Sequence, residues 1–193
     1  MKRRTFDGIV SLVGAGLGLF LLIAAGLLNW GYSFADSAVS NQLSAQQITL
    51  PAETSNTAED AATTAFFKDN GGKVMSTGKQ AQMYADHYLG FHLSAMPTYA
   101  AASGTNRTAA GALAANPADP TLQADAAKAA ATLDTVFKGT MLRGTLLTAY
   151  AFWELGQVAR ISAGVALIAG LVFLLLSLAG WMNLRRTSQE ATI

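Results

Sequence analysis

Apolar and polar positions divide the chain into two long uncharged runs and a central segment with patches of helical periodicity. The runs are GIVSLVGAGLGLFLLIAAGLL at 8–28 and ISAGVALIAGLVFLLLSLAGWMNL at 161–184, of 21 and 24 residues. At about 1.5 Å per residue each reaches roughly 30 Å, the thickness of a bilayer core. The pattern predicts two transmembrane helices. The first also has features of a secretory leader, because Lys2, Arg3 and Arg4 precede it and Ser33-Phe34-Ala35 resembles a cleavage site. Its apolar run exceeds the roughly 7–15 residues of a leader's apolar region, so it reads as an uncleaved signal-anchor.

The central segment predicts helices of a different kind. Residues 34–47 continue the first helix outward, with Phe34, Ala38 and Leu43 near one face. Pro51 and its polar neighbours make 46–57 a loop. At 77–95, Tyr84, His87, Tyr88, Phe91 and Ala95 recur at steps of three and four, a core-facing stripe that Pro97 ends. Residues 100–120, rich in Ala, Gly and Asn, read as loop or poorly formed helix. Asp119-Pro120 supplies an N-cap and first-turn proline for a helix through Leu122, Ala126, Ala129, Leu133 and Phe137. Helical character then runs from 140 into the second span, with Gly139, Gly144 and Gly156 as candidate bends. The expected fold is all-α: two transmembrane helices, extended outward and carrying an extracytoplasmic helical domain.

Charge adds an orientation. Lys2, Arg3 and Arg4 precede the first span and Arg185 and Arg186 follow the second, whereas residues 29–160 hold eight basic and ten acidic side chains. Positive charge stays inside, so both termini are expected in the cytoplasm and the central domain outside, at the plasma membrane. Trp30, Tyr32, Tyr150, Trp153 and Trp181 fall where interfacial aromatics belong. The expected order is a basic tail at 1–7, spans at 8–28 and 161–184, the outer domain at 29–160, and a tail at 185–193. Tails of seven and nine residues leave no room for a kinase or DNA-reading domain.

Composition narrows the chemistry. With no cysteine and only His87 and His92, thiolate sites and disulfides are excluded and histidine chemistry has little to draw on. A net charge of +1 argues against nucleic acid as a partner. On a straight helix His87 and His92 diverge by about 140°, too far to share an ion, and Asp86 projects into solvent away from the aromatic stripe. No G-x-S-x-G elbow occurs, and Gly71-Gly72-Lys73 lacks phosphate-loop spacing. Asn106-Arg107-Thr108 matches a glycosylation sequon. No catalytic residue, metal site or cofactor is expected, and the protein is read as a non-enzyme.

Contact positions stand out instead. Gly14 and Gly18 form a G-x-x-x-G pair, and Ala166 and Gly170 a second small pair, as in close helix approaches. Tyr150, Trp153, Gln157, Arg160 and Gly164 share one helical face with Leu146, with Glu154 at its edge. That collar reads as an interfacial belt that also suits a helix partner or lipid headgroup.

Several stretches together resemble a known group of proteins: the start MKRRTFD, MYADHYLGFHL at 83–93, LRGTLLTAYAFWELGQ at 142–157, and Asn183-Leu184-Arg185-Arg186. They resemble a family of small two-span membrane proteins from high-GC Gram-positive bacteria (actinobacteria), over nearly the full length. The resemblance implies location and topology and no established activity. Some relatives carry a label as aromatic-ring-opening dioxygenases, which the sequence does not support, since such iron sites need convergent His and carboxylate ligands. The expected role is a structural, assembly or accessory subunit of a membrane or envelope complex, or a homo-oligomer, embedded in the lipid bilayer. The alternative is an oligomeric channel or a lipid-binding or transport protein.

Overall fold

The computed structural model describes residues 3–186, and helices account for most of them. They run α1 (Arg3–Ala45), α2 (Ala61–Asn70), α3 (Gly78–Met83), a π turn (Tyr84–Leu89), α4 (Gly90–Ser94), α5 (Tyr99–Ala115) and α6 (Pro120–Arg186). Helices α1 and α6 are each long and apolar enough to cross a membrane, with mean hydropathies of 2.3 and 2.6 in their most apolar stretches. The chain divides into two compact units, one from 1–37 with 154–193 and one from 38–153.

The first unit is an antiparallel pair built from the start of α1 and the end of α6. Buried positions on α6 repeat every seven residues, at Gly156, Ala163, Gly170 and Ser177, and on α1 at Ser11, Gly18 and Ala25. A seven-residue repeat keeps one seam facing its partner along a left-handed supercoil. The seam residues are small while Leu12, Phe20 and Leu27 on the other faces are exposed. That is the division a bilayer favours: lipid is as apolar as leucine, so helices associate by close backbone packing rather than by burying large side chains.

The second unit has a conventional core of Val39, Leu43, Leu50, Met75, Ala81, Ala85 and Leu146. Its connection from α1 begins at Gln47, in the left-handed region at φ 54°, and reaches the buried Leu50. Leu50 N–H donates to the Lys73 carbonyl and its own carbonyl accepts from Gly72 N–H, so this loop is held by backbone bonds. Gly72, at φ +78°, makes the turn that returns the chain, a conformation that favours glycine. Helix α2 starts at Asp60, whose carboxylate accepts from Thr63 N–H at 2.7 Å. The backbone hydrogen bond from Thr63 holds the Asp60 carboxyl below its usual 3.8. Its stabilising contribution is therefore present above pH 3.8 and lost as the pH falls through the lowered value. Helix α3 opens on a capping box in which Thr77 and Gln80 satisfy each other's backbone donors.

Two expectations change here. Residues 100–120 are mostly helix: α5 forms because Thr98 caps it and alanine-rich sequence offsets Gly104 and Gly111. The sequon at Asn106 lies within this helix. The buried core positions of 78–94 are Ala81 and Ala85 rather than the aromatic stripe, because small residues let the helix sit close to the core. Tyr84 packs against that core while Tyr88 is half-buried and Phe91 is exposed. As expected, Asp119 caps α6, its Oδ1 accepting from Thr121 and Leu122 N–H. No bend divides α6 into separate helices at Gly139, Gly144 or Gly156.

Candidate functional site

Gly14 and Gly18 lie in the seam of the first unit. A Cβ at Gly14 would sit 2.5 Å from Ser177 Oγ, and one at Gly18 would sit 3.0 Å from the Gly170 carbonyl oxygen and 2.8 Å from Leu174. Gly180 meets Ser11 beyond Gly14, and at the other end Gly156 meets Ala35 and Tyr32. Positions rise along α1 as their partners fall along α6, so these contacts form one continuous zipper within a chain. Two serines complete it: both are buried, and Ser177 returns its hydroxyl to the Phe173 carbonyl at 2.7 Å. Neither serine is exposed on the outer faces of the pair.

The collar residues separate between the two units. In the second unit Trp153 packs on Gly78, where any Cβ would overlap its ring, and Tyr150 stacks obliquely on Trp153 at 6.3 Å. In the first unit the Arg160 guanidinium lies 5.5 Å from the centre of the Tyr32 ring, a cation–π contact. Gln157 is half-buried, and Gly164 is exposed with nothing within 4 Å of a Cβ built there. Gly164 thus takes no part in the close approaches made by Gly14 and Gly18.

The densest set of polar contacts is at the π turn. Here Gly90 N–H donates to Ala85 O, five residues back instead of four. Arg143, from α6, fills the irregularity: its Nε donates to Ala85 O at 3.0 Å and its Nη2 to Asp86 Oδ1 at 2.8 Å. The expectation that Asp86 is solvated is therefore corrected, since a cation 57 residues away engages it. Gln82 donates to the other Asp86 oxygen at 3.3 Å. One residue on, His87 Nδ1 donates to Glu59 Oε2 at 3.0 Å, and Asn56 donates to Glu59 Oε1 at 3.2 Å. Tyr84, Tyr88 and His92 form a column with ring centres 4.9 and 4.5 Å apart. Burial, then the neighbouring Tyr88, raises Tyr84 above its usual 10.0. A raised phenol contributes stability below pH 10 that is lost as the pH climbs through the raised value.

The two histidines end on different partners, because His92 Nδ1 donates to the Tyr88 carbonyl at 2.7 Å. Among the described residues no three His or carboxylate groups are placed to hold a metal ion. The chain matches no known family model, no curated protein and no solved structure. What the π turn can do, on its own geometry, is fasten: it joins the loop carrying Glu59, the 78–94 segment and α6 through charged hydrogen bonds. Replacing Arg143 with alanine should lower the stability of the second unit by about 1–3 kcal/mol, since two charge-assisted bonds are lost from a partly exposed site. Arg143→Lys, with one ammonium for two acceptors, should recover less than half of that loss in thermal unfolding.

Nothing in local sequence announced this site. Its one readable sign was the proximity of Asp86 and His87 in a segment that also holds two tyrosines; their partners Arg143 and Glu59 are too distant in the chain for periodicity to reveal.

Proposed function

We propose that this is a two-span plasma-membrane protein with both termini in the cytoplasm and residues 30–160 outside, acting without catalysis as a structural or accessory subunit. It works as part of a membrane or envelope complex or as a homo-oligomer. The observation that carries this reading is the use made of the ionisable groups at 38–153. Glu59–His87 and Asp86–Arg143 are each spent on joining one helix or loop to another. Such bonds give a domain a fixed surface, which is what a subunit offers its neighbours. The orientation rests on the lysines and arginines that flank the spans.

Topology and assembly are tested together in this cysteine-free chain. Single cysteines at Thr105 and Ser188 should differ in intact cells: an impermeant maleimide labels position 105 and spares 188. Labelling of 188 alone would overturn the orientation. Gentle extraction followed by native mass spectrometry should give a species heavier than the 20.1 kDa chain. A lone chain across several mild detergents would count against assembly.

A further inference from the structure

A depression of about 590 Å³ opens to solvent beside the π turn, within the second unit. Leu93 on α4 and Leu147 on α6 give it apolar walls, and Asp86 and Arg143 line it too. Two glycines keep it open. A Cβ at Gly144 would meet nothing within 4 Å, and one at Gly90 would stand 3.6 Å from Arg143 Nε. The fold uses only part of Arg143. A guanidinium carries five N–H groups, and the bonds to Ala85 O and Asp86 Oδ1 take two of them. Nη1 has no hydrogen-bond partner among the described residues. The same two bonds hold the guanidinium in one orientation, so a ligand meets a donor already aimed. Asp86 accepts from Arg143 and Gln82, and a carboxylate has room for further donors. The Arg143 and Asp86 side chains remain 41% and 33% exposed, so both are within reach from solvent.

We propose that this depression binds a free α-amino acid with an aliphatic side chain. Its carboxylate accepts from Arg143 Nη1, its ammonium donates to Asp86, and its side chain lies between Leu93 and Leu147. The paired charges select the ligand class. A simple anion gains from Arg143 but is repelled by Asp86, and a simple cation meets the reverse. A zwitterion of α-amino acid dimensions satisfies both at once, and each bond is charge-assisted. Arg143 thus has two uses on different atoms: Nε and Nη2 fasten α6 to the π turn, and Nη1 serves the ligand. The site goes beyond the subunit reading and holds whether or not the chain assembles.

The test uses the full chain in mild detergent, with leucine as the probe and binding followed by saturation-transfer NMR on the ligand. Leucine should bind saturably in the millimolar range, as suits an open site with two charged contacts. Leucinamide, which lacks the carboxylate, and N-acetylleucine, which lacks the ammonium, should each bind about tenfold more weakly or worse. Gly144→Leu puts a side chain into the depression without displacing any neighbour, and should abolish binding with the thermal midpoint kept. Thr140→Leu, one turn earlier on the same wall, is the second variant and should weaken binding likewise. Gly16→Leu, in the other unit, should leave binding unchanged. Absence of saturable leucine binding overturns the site. So does equal binding of leucine and its two blocked forms, or undiminished binding in folded Gly144→Leu and Thr140→Leu.

Discussion

Cysteines placed together at Gly14 and Ser177 should form a disulfide within one chain almost quantitatively on mild oxidation. A Cβ at Gly14 lies 3.8 Å from that of Ser177, within the 3.5–4.5 Å that a disulfide spans. The product should run as a compact monomer in denaturing gels and revert on reduction. A crosslinked species of twice the mass would mean that the zipper forms between chains. Gly18→Leu, added to the same pair, should abolish most of the crosslink. Its side chain would occupy the space where the Gly170 carbonyl and Leu174 approach, forcing the helices apart. Such overpacking costs about 1–3 kcal/mol or more, and here backbone on one side leaves little room to relax. Gly16→Leu is the control, because nothing lies within 4 Å of a Cβ there.

Phe67→Ala should be the most damaging single change in the second unit. Phe67 is fully buried and meets Phe66 edge-on at 5.7 Å. Truncating a buried phenylalanine costs about 3–5 kcal/mol through lost burial and the cavity left behind. A 116-residue unit has only a modest margin to lose, so a large unfolded fraction is expected near body temperature. Thermal unfolding followed through Trp153 fluorescence should show a midpoint lower by many degrees. Phe67→Leu, which keeps most of the volume, should recover more than half of the difference. A change under about 1 kcal/mol for Phe67→Ala would show that the core does not close around this ring.

The two long apolar helices are legible in the residues because uncharged runs of 21 and 24 residues leave no charge or proline to interrupt them. The cap at Asp119-Pro120 is legible because it acts on neighbouring backbone. The zipper is half visible: Gly14 and Gly18 stand out as a pair, but the seven-residue row Gly156, Ala163, Gly170 and Ser177 is hidden among many other small residues. Its partner positions on α1 lie well over a hundred residues away. Helix α5 is obscured because alanine and glycine push in opposite directions and only the Thr98 cap tips the balance. The aromatic stripe misleads because periodicity weights large side chains, whereas Ala81 and Ala85 set the closest approach. The π turn is invisible in local sequence, since Arg143 stabilises it from a different helix.

That turn also fixes the length of the segment around it. A π turn accommodates one residue more than an α-helix would over the same stretch. Deleting a single residue between Tyr84 and Leu89 would let the helix close in ordinary α register. The helix on either side would keep its facing, because the extra residue is what the wide turn absorbs. The change would fall on the turn itself, where Arg143 reaches the Ala85 carbonyl and Asp86. The residue count of this turn therefore governs how α6 is fastened to it, while the register of the flanking helix is left as it was.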